Sequence, residues 1–383
     1  MELTRDQLLE IRDTLKARVL DGLAREGTEI ACLPTYLPLP DGPQRGEALV
    51  MDAGGTNMRA SVVTLADGGN RVEAGPLGDR VPTGRDGKPV AGDRFFEAQA
   101  ELFQQLGPKG GCPLGYCFSY PAEVLASRDA RLIRWTKGVD VAGVEGTLVG
   151  SRLAKALEKL SIPTNGVTVL NDTVASLLGG VLFERKPEFA DRFIGLIVGT
   201  GTNMAGVFSA RALTKVKEWS GNMLVNLESG NFHPPHLQAF DDDYDRESDN
   251  PGRQRFEKAV SGYYLPYLFD RLSPGTIDPA RGSAQLVELR EQGKGEAARL
   301  AGQLLGRSAD LVAAGLAALC EIYTPGPTAI LGEGSLLWGD PQFATRMEER
   351  VNDLISSGRS AQLVKQRENV NLFGAASAAL LPA

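Results

Sequence analysis

The sequence predicts an α/β protein of two lobes, each built on a mixed β-sheet flanked by helices. A strand–glycine turn–strand pattern occurs twice, and between the two copies another strand ends in Asn171-Asp172. The repetition suggests two related halves. A strand that ends in a carboxylate is typical of open α/β sheets, which bind ligands at the carboxyl ends of their strands. The 383 residues, 42% of them hydrophobic, are sufficient for two cores.

Composition and charge exclude several classes of protein. The net charge is −7, which gives no support to a nucleic-acid partner or a membrane surface. The longest apolar run, 311–320, is too short to span a bilayer, and the first residues lack the pattern of a signal peptide. The four cysteines have no metal-site spacing. We therefore expect reduced thiols and a cytoplasmic location.

The first predicted elements are a helix and a β-hairpin. Thr4 and Gln7 form a capping-box pair. Apolar residues then recur at helical spacing: Leu8, Ile11, Leu15 and Val19. After a connector rich in proline and glycine, strands at 48–51 and 61–65 flank a glycine turn at 52–59.

The second half repeats this hairpin and continues with helices. A strand at 167–170 precedes Asn171-Asp172 and a helical segment from Thr173 onward. Strands at 193–198 and 204–208 then flank the turn 199–203. From residue 251 helices predominate, with one further strand at 328–331 before a glycine loop at 332–335.

The turn Asp52-Ala53-Gly54-Gly55-Thr56-Asn57 is the first candidate phosphate loop. Consecutive glycines let backbone N–H groups approach phosphate oxygens, and a threonine hydroxyl adds a donor. The carboxylate of Asp52 can bind Mg²⁺ directly or through water. The alternative is a hairpin turn that needs glycine for positive φ.

The turn Gly199-Thr200-Gly201-Thr202 is the second candidate. It differs from a P-loop because no Gly-Lys-Ser/Thr follows, and from a dinucleotide fingerprint because a strand follows each turn. Two such loops with Asp172 between them predict phosphoryl transfer, in which one carboxylate takes the proton of the attacking hydroxyl. The alternative for Asp172 is the N-cap of the helix beginning at Thr173.

The chain resembles the eukaryotic-type hexokinase and glucokinase family, within the actin, Hsp70 and sugar-kinase superfamily. The resemblance runs along nearly the whole chain in ordered motifs. They are Leu33-Pro34-Thr35-Tyr36, Asp52 to Arg59, Phe118-Ser119-Tyr120-Pro121, Trp135-Thr136-Lys137-Gly138, Asn171-Asp172-Thr173-Val174, Gly199-Thr200-Gly201-Thr202-Asn203, Asn226-Leu227-Glu228 and Phe256 to Gly262.

The resemblance implies a complete hexose site. The family residues that match the following positions bind the sugar hydroxyls: Ser119, Thr136, Lys137, Asn171, Asp172, Asn203, Glu228 and Glu257. Such carboxylates and amides suit polyol hydroxyls, which both donate and accept hydrogen bonds. By the same resemblance Asp172 is the general base on the 6-hydroxyl, and Lys137 lies near the reacting group.

The resemblance also implies ATP and Mg²⁺ as cofactors. Asp52 positions the metal, and the phosphate contacts are Gly54, Gly55, Thr56, Asn57, Gly199, Thr200, Gly201 and Thr202. Gly332, Gly334 and Ser335 resemble the adenosine-side loop, where the family usually has Asp at the position of Glu333. One departure lies beside the sugar residues, because Ser229 stands where many members carry Trp.

The implied fold is the two-lobed actin-like ATPase (ribonuclease H-like) fold with a central cleft. We expect a small lobe of residues 48–171 with 372–383, and a large lobe of residues 1–47 and 172–371. The implied activity is phosphorylation of glucose, and of hexoses such as mannose or fructose, at the start of glycolysis, by a monomer or homodimer. The alternatives are a non-transferring nucleotide switch and a catalytically silent sugar sensor.

Overall fold

The computed structural model describes residues 1–84, 88–108, 110–136 and 138–382. These residues form two compact units. Unit 1 comprises Met1–Cys32, Lys186–Ser220 and Leu227–Gln366, and unit 2 comprises Leu33–Arg185, Gly221–Asn226 and Arg367–Ala383.

The elements are numbered along the chain. The strands are β1 Leu33–Pro34, β2 Gly46–Ala53, β3 Asn57–Leu65, β4 Arg71–Arg80, β5 Val90–Ala91, β6 Leu114–Phe118, β7 Ala122–Val124, β8 Ala130–Leu132, β9 Val141–Ala142, β10 Val167–Leu170, β11 Phe193–Val198, β12 Thr202–Ser209, β13 Asn222–Asn226, β14 Pro327–Glu333 and β15 Ser360–Lys365. The helices are α1 Arg5–Ala24, α2 Gly92–Leu106, α3 Val149–Lys159, α4 Asp172–Glu184, α5 Ala239–Glu247, α6 Arg255–Val260, α7 Leu265–Leu272, α8 Ala284–Gln292, α9 Glu296–Ile322, α10 Ser335–Gly339, α11 Pro341–Leu354 and α12 Val370–Leu380.

Unit 1 is built on strands in the order β12-β11-β14-β15. Strand β12 is antiparallel to β11, which forms the predicted second hairpin, whereas β14 and β15 continue the sheet in parallel. Helix α1 packs against α9, and its predicted capping box between Thr4 and Gln7 is present. The predicted apolar stripe from Leu8 to Val19 is buried, because it is the face that α1 turns toward the core.

Unit 2 is built on a sheet in the order β10-β6-β2-β3-β4. Strands β10, β6 and β2 are parallel, and β3 pairs antiparallel with β2 as the predicted first hairpin. Helix α12 packs on α4, β2 and β6. This packing is close because glycines face it: a Cβ on Gly115 would lie 2.2 Å from the carbonyl oxygen of Ala375.

The boundaries of the units differ from those of the expected lobes. The expected large lobe included residues 33–47, 172–185, 221–226 and 367–371, whereas all four segments belong to unit 2. For α4 the physical reason is its packing against α12, where a Cβ on Gly374 would lie 1.7 Å from the carbonyl oxygen of Ala175.

The four cysteines are all free thiols, as the sequence predicts. Among the described residues, none of the helices combines the length and the apolar character needed to cross a membrane.

Candidate active site

Three parallel strands of unit 2 end at the same edge of the sheet. In the register of β10, β6 and β2, Leu170 lies opposite Cys117, and Cys117 lies opposite Asp52. The residues that follow these strands are therefore neighbours, as expected for a ligand site in an open α/β sheet. The electrostatics agree: burial raises the pKa of the Cys117 thiol, and the charges of Asp52 and Asp172 raise it further.

The Asn171-Asp172 pair occupies the beginning of α4. Asn171 is the N-cap, and its side-chain oxygen accepts a hydrogen bond from the N–H of Thr173 at 2.9 Å. The alternative in which Asp172 is the N-cap is therefore wrong, because Asp172 is already the first helical residue. Its Oδ1 accepts from the Thr173 N–H at 2.8 Å, so the carboxylate is oriented by the backbone of the helix it begins.

Asp52 is fixed by two side chains. Its Oδ2 accepts hydrogen bonds from Arg59 Nη2 at 2.6 Å and Nε at 3.2 Å, and from Asn371 Nδ2 at 3.0 Å. Arg59 lies directly opposite Asp52 in the β2–β3 register, whereas Asn371 comes from α12. Sequence reasoning did not identify Asn371, since nothing in its neighbourhood marks it as a partner of a residue 319 positions away.

The first glycine loop is ordered by hydrogen bonds at Gly54. The Gly54 N–H donates to the Asn57 carbonyl at 3.0 Å, and the Gly54 carbonyl accepts from the hydroxyl of Tyr120. The φ of Gly54 is not in the left-handed region, and the nearest atom to an added Cβ would be the Asn57 oxygen at 3.5 Å. Backbone strain therefore does not require glycine at 54. An added Cβ would make only an ordinary van der Waals contact, while Gly55 is half-buried and Thr56 and Asn57 are exposed.

Two expected sugar residues of unit 2 lie close to this loop. Ser119 is buried, and its N–H donates to the Ala53 carbonyl at 3.1 Å. Thr136 is half-buried and follows Trp135, whose ring packs against Tyr120. Lys137, expected to bind the sugar and to take part in catalysis, lies outside the described residues.

The expected sugar residues of unit 1 surround the second glycine loop. Glu257, on α6, accepts a hydrogen bond at Oε2 from the Thr202 N–H at 2.9 Å. The Oδ1 of Asn203 accepts a hydrogen bond from the backbone N–H of Ser229 at 3.2 Å. Glu228 immediately precedes Ser229, so this bond brings Glu228 close to Asn203. A Cβ on Gly230 would lie 3.3 Å from the Cβ of Glu257. Asn203, Glu228 and Glu257 are thus brought together.

The carbonyl groups of the second loop are bonded to the segment that follows α6. The Gly199 carbonyl accepts from Gly262 N–H at 2.7 Å, and the Thr200 carbonyl from Tyr263 N–H at 3.2 Å. In a planar trans peptide the carbonyl and the next N–H point in opposite directions. The N–H groups of Thr200 and Gly201 therefore point away from that segment and are the loop's candidate phosphate donors.

Thr202 differs from the other residues of this loop. Its N–H donates to Glu257, and its hydroxyl donates to the Ile197 carbonyl at 3.0 Å. Both of its donors are directed at protein acceptors. Thr202 therefore stabilises the loop in this conformation. The Gly199 N–H is also used within the loop, where it donates to the Gly201 carbonyl at 2.9 Å, so the candidate phosphate donors are the N–H groups of Thr200 and Gly201.

The loop at 332–335 approaches the second glycine loop at one end. A Cβ on Gly199 would lie 3.3 Å from Ser335 N and 3.4 Å from Gly334 Cα. Gly332 is buried within β14, and an added Cβ would lie 2.8 Å from a methyl carbon of Leu337. Gly334 and Ser335 are thus placed beside the phosphate loop, whereas Gly332 packs against the side chains of Leu337 and Leu363.

The sequence comparisons with known proteins point to one family. Two sequence profiles, both described as Hexokinase, match residues 1–181 and residues 193–273 with 297–381. Hexokinase-3 of Rattus norvegicus is 33% identical over 274 residues, which are 69% of this chain and 29% of that protein. The chain thus spans less than a third of the length of that relative. The hexokinase of Schwanniomyces occidentalis is 28% identical over 91% of this chain and 84% of its own length.

A solved structure extends the match to the fold. The hexokinase from Schistosoma mansoni, complexed with glucose, superimposes with a TM-score of 0.79 at 27% identity, covering 99% of this chain and 96% of the other. This match confirms the predicted α/β fold of the actin-like sugar kinases.

Proposed function

Because the chain belongs to the hexokinase family, we propose that it transfers the terminal phosphoryl group of Mg-ATP to the 6-hydroxyl of a hexose. Glucose is the first acceptor to test, followed by mannose and fructose. The product would be a hexose 6-phosphate, the compound with which glycolysis begins. We place this activity in the cytoplasm, a proposal supported by four free thiols, which are typical of reducing compartments.

One observation carries the proposal: a carboxylate suited to a sugar is bonded directly to a loop suited to a phosphate. Glu257 accepts the N–H of Thr202, and Asn203 is bonded to the residue after Glu228. A hexose bound by these side chains would lie beside the candidate phosphate donors of the same loop. In unit 2, Asp172 and Asp52 are both close enough to Cys117 for their charges to raise the pKa of its thiol.

Asp172 is the proposed general base. Its carboxylate accepts the proton of the 6-hydroxyl as the sugar oxygen forms a bond to the γ-phosphorus. The bond from that phosphorus to the bridging oxygen breaks, and ADP leaves with the electron pair. Such a transfer depends mainly on positioning and charge stabilisation. In this chain those tasks fall to the polar side chains around the sugar and to the backbone N–H groups of the two glycine loops.

The residues present fit a magnesium ion at Asp52. The carboxylate is oriented by Arg59 and Asn371. An added Cβ at the nearby Gly54 would contact only the Asn57 oxygen, at 3.5 Å, so we propose that the phosphate approaches the loop at this glycine. Mg²⁺ is typically bound by one or two carboxylates together with substrate phosphates. When bound, the ion would neutralise charge on the phosphate oxygens.

The deciding experiment is a coupled assay of the purified protein with Mg-ATP against glucose, mannose, fructose and glucosamine, with a no-sugar control. ADP release matched by hexose 6-phosphate supports the proposal and ranks the acceptors. ADP release that is independent of sugar would instead indicate the nucleotide switch. Pyrophosphate, polyphosphate and ADP serve as alternative donors in parallel reactions. Absence of turnover with every donor, despite glucose binding, would indicate the silent sensor.

A further inference from the structure

We propose that Tyr120 is a positioning residue that orients the first glycine loop for phosphate binding and couples it to the hexose-binding segments of unit 2. This inference rests on the proposed function, because it assigns a role within the same site. The evidence for this role is one hydrogen bond of the Tyr120 hydroxyl and two contacts of its ring.

The hydroxyl of Tyr120 donates a hydrogen bond to the carbonyl oxygen of Gly54. The N–H of the same glycine donates to the Asn57 carbonyl at 3.0 Å. Both polar groups of Gly54 are therefore bonded. Because a trans peptide is planar, fixing the Gly54 carbonyl also fixes the Gly55 N–H, which points the opposite way. Tyr120 thereby determines where the loop presents the Gly55 N–H as a phosphate donor.

The loop has few other restraints at this peptide. Glycine is conformationally permissive, and an added Cβ at Gly54 would have no neighbour closer than 3.5 Å. In the second glycine loop the corresponding carbonyls, of Gly199 and Thr200, are bonded by backbone N–H groups. In the first loop a side chain does this, so one substitution can remove the bond without altering the backbone.

The environment of Tyr120 keeps its hydroxyl protonated, so the group can act as a hydrogen-bond donor. The side chain is buried, and burial raises the pKa of its hydroxyl, which keeps the proton on the oxygen. A buried tyrosine hydroxyl normally has a hydrogen-bond partner, and the Gly54 carbonyl is one. Phenylalanine at this position would fill the same space but leave that carbonyl without this donor.

The ring of Tyr120 connects the loop to the expected sugar residues. It packs edge-on against Trp135, with 4.9 Å between centroids, and tilted against Phe118, also at 4.9 Å. Trp135 is itself fixed, since its Nε1 donates to the Val141 carbonyl at 2.8 Å. Ser119 and Thr136 adjoin these aromatic residues in the chain, so a shift of the ring would be transmitted to both.

The substitution Tyr120→Phe separates the role of the hydroxyl from that of the ring. We expect kcat/KM for Mg-ATP to fall about fivefold, the effect of losing one hydrogen bond, while KM for the hexose changes little. Tyr120→Leu also removes the ring contacts, and we expect it to raise KM for the hexose as well. A Tyr120→Phe enzyme with wild-type constants for Mg-ATP would overturn the inference.

A matched control shows whether the effect is merely structural. Tyr323, in unit 1, is buried, and its hydroxyl donates to the Phe193 carbonyl at 2.9 Å and accepts from the Val207 N–H at 3.1 Å. We expect Tyr323→Phe to lower the melting temperature and leave both KM values unchanged. Similar changes of KM for Mg-ATP in the two variants would contradict a positioning role for Tyr120.

Binding of Mg-ADP and of inorganic tripolyphosphate, measured by calorimetry, separates this inference from the proposed function. Wild-type protein that binds neither compound and phosphorylates no hexose would contradict both. Wild-type protein that phosphorylates hexoses, with Tyr120→Phe binding both compounds equally well, would contradict only the role of Tyr120. Weaker binding of both compounds by Tyr120→Phe supports it, because the loop would contact phosphate rather than adenosine.

Discussion

The carboxylate of Glu257 accepts a hydrogen bond from the backbone N–H of Thr202, with 2.9 Å between Oε2 and N. The two residues are 55 positions apart, and the sequence assigned them to different ligands, Glu257 to the sugar and Thr202 to phosphate. Their bond makes the sugar residue part of the phosphate loop. A change in one should therefore affect the ligand of the other.

Substitution of Gly201 tests this connection. The Cβ of an alanine there would lie 2.7 Å from Glu257 Oε2, closer than real Cβ contacts, so the carboxylate must move. We expect Gly201→Ala to raise KM for the hexose about tenfold, equivalent to losing a hydrogen bond to a charged group. Steady-state kinetics with glucose as the variable substrate measures the change.

Gly54→Ala is the matched control for the other loop. An added Cβ there meets only the Asn57 oxygen, at 3.5 Å, so we expect an unchanged melting temperature. Its methyl group would occupy the space proposed for phosphate, so KM for Mg-ATP should rise while KM for the hexose stays constant. If Gly201→Ala and Gly54→Ala changed KM for the hexose and KM for Mg-ATP equally, the assignment of Gly201 to the sugar side and Gly54 to the phosphate side would be contradicted.

Asp172→Asn tests the general base. The amide keeps the size of the side chain but cannot accept the proton of the 6-hydroxyl. We expect kcat to fall about 10²- to 10⁴-fold, with glucose still bound and the melting temperature close to that of the wild type. Rapid-quench or coupled assays measure turnover, and calorimetry measures glucose binding. Turnover near the wild-type rate would mean that another group takes the proton.

Asn371→Ala tests the support of Asp52. The substitution removes the hydrogen bond from Asn371 Nδ2 to Asp52 Oδ2 and leaves the hydrogen bonds from Arg59 in place. Partners that orient a metal-binding side chain commonly contribute tenfold or more to metal affinity. We expect the free Mg²⁺ concentration for half-maximal rate to rise about tenfold.

Mn²⁺ binding, followed by electron paramagnetic resonance in the presence of ADP, gives a readout for Asn371→Ala that does not depend on turnover. Asn70→Ala is the control. Asn70 also lies in unit 2, where its Oδ1 accepts from the Ala66 N–H at 3.2 Å in a turn. An equal change in metal dependence in both variants would argue against a specific role for Asn371.

Lys258→Met tests the buried charges that support α6. Lys258 is 3% exposed, and its Nζ donates to Asp245 Oδ1 at 2.6 Å, to Ser248 Oγ at 2.7 Å and to the Asn250 carbonyl at 2.9 Å. Breaking one side of a buried ion pair typically costs about 3 kcal/mol. We expect the free energy of unfolding to fall by about that amount in urea titrations.

The control for Lys258→Met is an exposed ion pair. Arg299 and Glu296 are both largely exposed, so we expect the free energy of unfolding of Arg299→Ala to stay close to that of the wild type. The pH dependence gives a second check. Burial favours a higher pKa for Asp245, but the hydrogen bonds from Lys258 and Gly252, together with the positive charges of Arg255 and Lys258, lower the pKa overall.

A carboxyl whose pKa is lower in the folded state stabilises the protein above its unfolded pKa, about 3.9 for Asp. That contribution disappears as pH falls through the folded value. The wild-type free energy of unfolding should therefore decline more steeply below about pH 4 than that of Lys258→Met. Parallel curves would show that Lys258 does not set the titration of Asp245.

The sequence by itself determined the local features of this protein. Apolar periodicity and the capping pair identified α1, the glycine turns identified both hairpins, and the motifs around Asp172 identified the family. These features depend on residues close together in the chain, where spacing alone specifies geometry. The position of Asp172 at a strand end also predicted a ligand site there, because open α/β sheets bind ligands at the carboxyl ends of their strands.

Only the tertiary structure decided which distant groups are bonded to these motifs. In the structure Asn171 is the N-cap of α4, Asn371 donates a hydrogen bond to Asp52, and the Tyr120 hydroxyl donates to the Gly54 carbonyl. The last two bonds join segments 319 and 66 positions apart. They form because whole elements pack closely, as α12 does against the glycines of unit 2. Hydrogen-bond partners that depend on such packing leave no periodic or local pattern in the sequence.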